Sequence, residues 1–277
     1  MKRIAIIGLG LIGGSVAKAV RRNSDIDIIG WNRSRESLTE ALHQNIINGI
    51  WDKKSVLEAD LVLLATPPAA TIDFLKENAS YFKPGTVITD VCGVKTSIVK
   101  ECEPICKENG LYFLGGHPMA GKEKGGFLNS DESLFEGASY IITPTEQTKK
   151  IAIERVTKLA KIIGAREISV TTPEEHDRII AFTSQLPHVL AGAYVKSPAC
   201  LERKGFSAGS FMDVSRVATA DEKLWTELFS LNAENLCAEI DTLIKNLAAY
   251  RDAIKNNDSK TLAALINEGC EIKTRDN

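Results

Sequence analysis

Gly8-Leu9-Gly10-Leu11-Ile12-Gly13 is the stretch on which the fold turns. Ile4 to Ile7, just before it, is an apolar run that reads as a buried strand, and helical periodicity follows it. Strand, G-x-G-x-x-G turn and helix in that order make the phosphate-binding corner of a dinucleotide-binding βαβ unit. Gly8 permits the tight turn, Gly10 lets a pyrophosphate approach the backbone, and Gly13 lets helix and strand pack closely. Leu11 and Ile12 open the helix, whose N-terminus faces the phosphates.

Working outward, a second strand ends in Gly30-Trp31-Asn32-Arg33-Ser34, about 20 residues after the glycines. An NAD-selective protein usually places an acid there for the ribose 2′-hydroxyl, and none is present. Asn32 removes the charge that would repel a 2′-phosphate, while Arg33 and the Ser34 hydroxyl suit one, which favours NADP. NAD stays possible if Asn32 bonds the 2′-hydroxyl instead. Leu61 to Ala65 is a buried strand ending in Thr66-Pro67-Pro68, so Thr66 and Pro67 are expected to line the cofactor crevice.

The remaining strand candidates up to the middle of the chain are Ile26 to Trp31, Thr86 to Asp90, Tyr112 to Gly115, Tyr140 to Thr143 and Glu167 to Val170. Helical patterns lie between most of them, the signature of a parallel sheet covered on both faces. At Thr172-Pro173-Glu174-Glu175 an N-cap, a proline at the first helical position and a capping-box glutamate start a helix, and no strand is expected beyond. A second capping box, Thr219 with Glu222, opens a helix expected to run unbroken to about Asn256. Such length exceeds what one small domain needs and points to packing against a second copy, a homodimer. The reading is α/β: an N-terminal Rossmann-type parallel-sheet domain over 1–171 that binds the dinucleotide, and an all-α C-terminal domain over 172–277 for substrate binding and dimerisation.

Composition agrees and narrows the partners. The 277 residues are 44% apolar and 25% charged, which excludes a disordered or fibrous chain, and the net charge of −2 gives no field for nucleic acid or an anionic membrane. The basic start at Met1-Lys2-Arg3 followed by apolar residues imitates a signal peptide, but Gly8, Gly10, Gly13 and Gly14 break the run. No stretch holds the roughly 18 apolar residues of a membrane span. Six cysteines without zinc spacing read as reduced thiols of a cytoplasmic protein with no metal site.

Of four histidines, His43 sits in a polar helical stretch and reads as a surface residue. His117 stands in Gly115-Gly116-His117-Pro118-Met119-Ala120-Gly121, read as a glycine-rich loop after a strand, where an imidazole can project into the crevice for proton chemistry. With these residues quoted, the chain resembles the prephenate dehydrogenases, a family that includes arogenate and cyclohexadienyl dehydrogenases. The resemblance rests on the N-terminal glycines with Gly14 and Ser15, on Thr89-Asp90-Val91-Cys92-Gly93-Val94-Lys95, and on Gly116 to Gly121 with Glu123. His176-Asp177, Thr183-Ser184-Gln185-Leu186-Pro187-His188, and Met212-Asp213-Val214-Ser215-Arg216 with Trp225 complete it.

The resemblance implies oxidative decarboxylation of prephenate to 4-hydroxyphenylpyruvate. It gives His117 the part of the catalytic histidine, working unprotonated on the ring hydroxyl, and Arg216 that of the arginine gripping a substrate carboxylate. Ser184 and His188, four apart, are placed on one helix face toward the ligand, and Pro187 is expected to kink that helix and free a carbonyl near Thr183. His176 is ranked behind these, paired with Asp177 or a backbone group. Substrate contacts fall on His117, Glu123, Gln185, His188, Met212 and Arg216.

Gly93 stands where many relatives carry serine, Gln185 where others have histidine, and Met212 where some have lysine. These departures bear on prephenate against arogenate, whose ammonium group would want an acid such as Glu123; prephenate is the first choice. No fused mutase or regulatory domain is expected after the last helical segment. The alternatives are an arogenate dehydrogenase, another small-acid dehydrogenase of similar architecture, and a dinucleotide-responsive binding protein without turnover.

Overall fold

The apolar runs around the glycine turn become the centre of a single sheet. The structure, a computed structural model, describes residues 1–53, 55–122 and 124–275. Its strands are β1 (Arg3–Ile7), β2 (Asp27–Trp31), β3 (Gly49–Ile50), β4 (Leu61–Leu64), β5 (Val87–Asp90), β6 (Tyr112–Pro118), β7 (Ser139–Thr143) and β8 (Glu167–Val170). They lie in the order β3-β2-β1-β4-β5-β6-β7-β8. The chain therefore changes direction across the sheet between β1 and β4, the switch point where such sheets open a crevice at the strands' carboxyl ends.

Alternation along β1 feeds both faces: Ile4 and Ile6 join one core, Ala5 and Ile7 the other. Helices α1 (Leu11–Asn23) and α5 (Lys150–Ile162) cover the first face, α3 (Pro68–Asn78) and α4 (Thr96–Glu108) the second, while α2 (Arg35–His43) follows β2. His43 is exposed at the end of α2.

Two expectations need correction. The sheet is not wholly parallel, because β7 runs antiparallel to β6, with Gly115 opposite Thr143 and Pro118 opposite Tyr140. That ladder carries β6 past Gly115, so His117 sits in a strand instead of a loop. Two-residue β3 was not foreseen.

Thr172 caps α6 (Pro173–Ile180), its Oγ1 accepting the Glu175 N–H at 3.2 Å. Glu175 does not return the bond but holds Arg178 at 2.7 and 2.8 Å. Pro187 has no N–H for the Thr183 carbonyl, and the chain absorbs the loss as a π-helical turn over Ala181–Gln185 before α7 (Leu186–Tyr194). Short α8 (Ala199–Glu202) and α9 (Gly209–Ser215) follow.

The expected long helix is in fact two, α10 (Glu222–Leu231) and α11 (Ala233–Lys255), and α10 is capped by Asp221, not Thr219. The break falls at buried Asn232, whose Nδ2 donates to the Asp177 carbonyl and to Gln185 Oε1, each at 2.8 Å. These tertiary bonds outweigh helix continuation at a residue of modest helix propensity. Helix α12 (Ser259–Arg275) packs back on α11, with the Tyr250 hydroxyl donating to the Leu265 carbonyl at 2.9 Å. Among the described residues, no helix is long and apolar enough to cross a membrane.

Candidate active site

At the cofactor corner the glycines are sterically required. Gly8 has φ +96°, and a Cβ there would run into the Ala65 carbonyl; one at Gly13 would collide with the Gly8 carbonyl oxygen. A Cβ at Gly10 would instead meet open space, and no side chain caps α1, so its first-turn N–H groups, with Leu11 and Ile12, lie beside that space. This cradle fits a pyrophosphate. Asn32 is engaged with backbone: its Oδ1 accepts the Leu9 N–H at 3.0 Å and its Nδ2 donates to the Ser34 carbonyl at 3.2 Å, strapping the glycine turn to the end of β2. Arg33 and Ser34 are exposed beside it. Thr66, its hydroxyl 2.8 Å from that of Thr71, and exposed Pro67 mark the carboxyl end of β4.

The imidazole of His117 leaves the end of β6 and meets that of His176 on α6, Nδ1 to Nε2 at 2.9 Å. His176 Nδ1 in turn lies 2.7 Å from Asp177 Oδ1. The same carboxylate accepts the Lys95 N–H at 2.7 Å and the Thr96 N–H at 2.8 Å, at the N-terminus of α4. Burial pushes the Asp177 pKa up, but the bonds from His176, Thr96 and Lys95 outweigh it, so the group stays below the usual carboxylate range and ionised.

An ionised Asp177 only accepts, which fixes the protons along the chain. His176 donates from Nδ1 to Asp177, so its Nε2 is the acceptor, and His117 donates from Nδ1. His117 Nε2 is thereby left unprotonated, on the side of Gly93, where a Cβ would stand 4.0 Å from that nitrogen and 3.5 Å from Leu228 of α10. Burial, His176 and Lys95 together hold the His117 pKa well below the ordinary histidine value. Burial likewise lowers that of His176, against the pull of Asp177. Both rings are neutral near pH 7.

Beneath His117 lies an ion pair that the sequence reading left without a task. Lys95 and Asp90 are both fully buried, with Lys95 Nζ donating to Asp90 Oδ2. Asp90 also accepts the Cys92 N–H at 2.8 Å and the Gly116 N–H at 3.1 Å. Loss of one partner from such a pair typically costs about 3–5 kcal/mol, because it strands the other charge.

The helical half closes over this edge of the sheet. Leu228 packs with Cys92 and Val94, and Glu227 Oε1 accepts the Ala69 N–H at 2.5 Å, at the start of α3. One turn back on α10, Trp225 stacks on His188 with ring centroids 3.7 Å apart. Burial, and to a lesser degree the Arg216 guanidinium, lower the His188 pKa against an opposing bond to the Val217 backbone. His188, Arg216 and Trp225 thus form one cluster, joined through α10 to the Leu228 contact beside His117.

The remaining residues expected at the site lie as follows. Gln185 is buried, its Nε2 donating to the Leu228 carbonyl at 3.3 Å and its Oε1 accepting from Asn232, so it braces the α10–α11 junction. Ser184 is half-buried in the π turn, and Met212 is exposed on α9. Glu123 lies outside the described residues.

A Rossmann-type sheet with a phosphate cradle, a neutral imidazole at its carboxyl edge and a helical domain over it define a dinucleotide-dependent oxidoreductase. Residues 16–169 match the prephenate dehydrogenase nucleotide-binding domain, and residues 172–268 match the dimerization domain of the same family. The chain belongs to the prephenate dehydrogenase family. It is 34% identical over 268 residues to the prephenate dehydrogenase of Bacillus subtilis, covering 94% of this chain and 72% of that one. It is 33% identical over 270 residues to the cyclohexadienyl dehydrogenase of Zymomonas mobilis, covering 94% and 91%. Among solved structures it is similar to prephenate dehydrogenase from Aquifex aeolicus in complex with hydroxyphenyl propionate and NAD+ (TM-score 0.89, 28% identity, 100% and 99% coverage). It is also similar to Synechocystis arogenate dehydrogenase (TM-score 0.83, 26% identity, 99% of both chains).

Proposed function

We propose that this chain, acting as a homodimer in the cytoplasm, oxidatively decarboxylates prephenate to 4-hydroxyphenylpyruvate, with NADP preferred over NAD and His117 as the proton acceptor. The observation that carries the reading is the ordered chain from Asp177 through His176 to His117, which leaves Nε2 as an acceptor on the side of Gly93. Bound at the glycine cradle, the nicotinamide dinucleotide supplies the hydride acceptor. His117 Nε2 takes the proton of the ring hydroxyl as hydride leaves the carbon bearing it. Loss of carbon dioxide then aromatises the ring, and the imidazolium returns its proton to the phenolate oxygen. The proton account closes within the site, which suits a histidine pair ending on a buried carboxylate instead of on solvent.

Arg216 is assigned the substrate carboxylate, a role suited to a guanidinium that stays charged at all working pH values. His188 and Ser184 are assigned to the same substrate. The NADP preference is supported by the absence of an acid at the end of β2, by the engagement of Asn32 with backbone, and by exposed Arg33 and Ser34. We divide the chain at 171/172, where Thr172 caps the first helix after β8.

The test is a comparison of kcat/KM for prephenate and arogenate with each cofactor, following reduced nicotinamide by absorbance. Prephenate with NADP is expected to be the best combination. Higher efficiency with arogenate, or with NAD, would overturn the corresponding part of the reading.

A further inference from the structure

The buried pair beneath the catalytic strand takes no part in the reaction as drawn, yet it is built into that strand. Lys95 leaves the turn after β5 and its stem passes under Gly115, where a Cβ would lie 3.2 Å from Lys95 Cδ. A Cβ on Gly116 would crowd the Tyr140 hydroxyl (2.7 Å), the Asp90 carbonyl (2.8 Å) and Thr89 Oγ1 (2.9 Å). Gly115 thus makes room for the Lys95 stem and Gly116 for the main chain at Asp90, and Asp90 Oδ1 holds the Gly116 N–H. The main-chain N–H groups of Lys95 and Thr96 at the other end of this turn hold Asp177. One short segment therefore grips both ends of the histidine chain.

We propose that the Asp90–Lys95 pair is a positioning device for His117: Asp90 fixes the strand that carries the imidazole, and the Lys95 ammonium opposes a second positive charge on it. This rests on the reading of His117 as proton acceptor. Among the described residues, the ionisable groups around His117 are His176 and Asp177 on α6, Asp90 and Cys92 at the end of β5, Lys95 before α4, and Tyr140 on β7. Lys95 is the lysine among them and is itself fully buried, so its repulsion of an imidazolium is weakly screened. Its effect reaches His117 and His176 alike, in the direction that keeps each ring neutral.

The test is the NMR titration of His117 in the full chain without substrate, its signal assigned among four histidines through His117→Asn. The parent is compared with the neutral pair Asp90→Asn/Lys95→Met and with Lys95→Gln, which keeps a donor for Asp90. In a folded variant the His117 midpoint is expected to rise by about one pH unit, with the acid limb of kcat/KM rising alongside. A midpoint unmoved in either folded variant overturns the proposal, and so does failure of both variants to fold, which would assign the pair to structure alone. Because the titration needs no turnover, a parent protein inactive on prephenate would sink the proposed reaction while leaving this result readable.

Discussion

The sheet half and the helical half are finished to different degrees within one chain. In the sheet half Ile4, Ile6, Leu61, Leu63 and Val87 are fully buried, and even the charges of Asp90 and Lys95 are enclosed and paired. In the helical half α11 buries only Leu236 and Ala253, while Ile244, Leu247 and Ile254 are more than half exposed along the helix, at spacings of three and seven residues. An apolar stripe of this kind suits a partner surface, and the matched dimerisation domain agrees with a homodimer. The lesson is a division of labour. The sheet half carries His117 on a buried strand and α6, the first helix of the other half, fixes its tautomer through His176 and Asp177, whereas the later helices leave much of their apolar surface exposed.

The largest effect tests the rigid side. His117→Asn is expected to lower kcat by about 10²-fold or more while nucleotide affinity, measured by fluorescence titration, is retained. Equal losses in both would mean that the strand, not the base, had been damaged. Asp177→Asn is next: without an obligate acceptor the His176 ring can reverse, and kcat is expected to drop by roughly 30-fold with nucleotide affinity again held. Farther along the helical half, Arg216→Ala should act mainly through binding, raising KM for prephenate roughly tenfold with kcat little changed. A kcat defect as large as that of His117→Asn would erase the contrast between the halves.

The smallest effect is on stability. His117 and His176 have folded-state pKa values below the ordinary one, so as pH falls through about 6.5 the unfolded chain takes up protons that the folded chain refuses. Their contribution is complete above that value and is lost progressively below it. Tm should decline with acid in this window, and the decline should be shallower in His176→Gln.

Much of the sheet half was legible because its signals are local. A strand, three spaced glycines and a helix state the cofactor corner in six residues, and Thr172-Pro173 announces the first helix of the second half. What was not legible depends on partners distant in sequence. Gly115-Gly116-His117 looks like a loop until β7, more than 20 residues on, supplies the antiparallel ladder that makes it strand. Asn232 reads as one more position in a periodic helix until Asp177 and Gln185 claim its amide. Gln185 was expected at the substrate, and its bonds to Leu228 and Asn232 depend on residues far along the chain. Asp90 and Lys95 were visible as part of a motif, but nothing in their spacing says that both charges are enclosed behind the catalytic strand.

The central claim is that the chain from Asp177 leaves His117 neutral with its free electron pair on Nε2. Nitrogen-15 NMR of histidine-labelled protein at pH 7 reads this directly. The account requires a protonated Nδ1 and an unprotonated Nε2 on His117. A proton on Nε2, or an imidazolium at that pH, would contradict it.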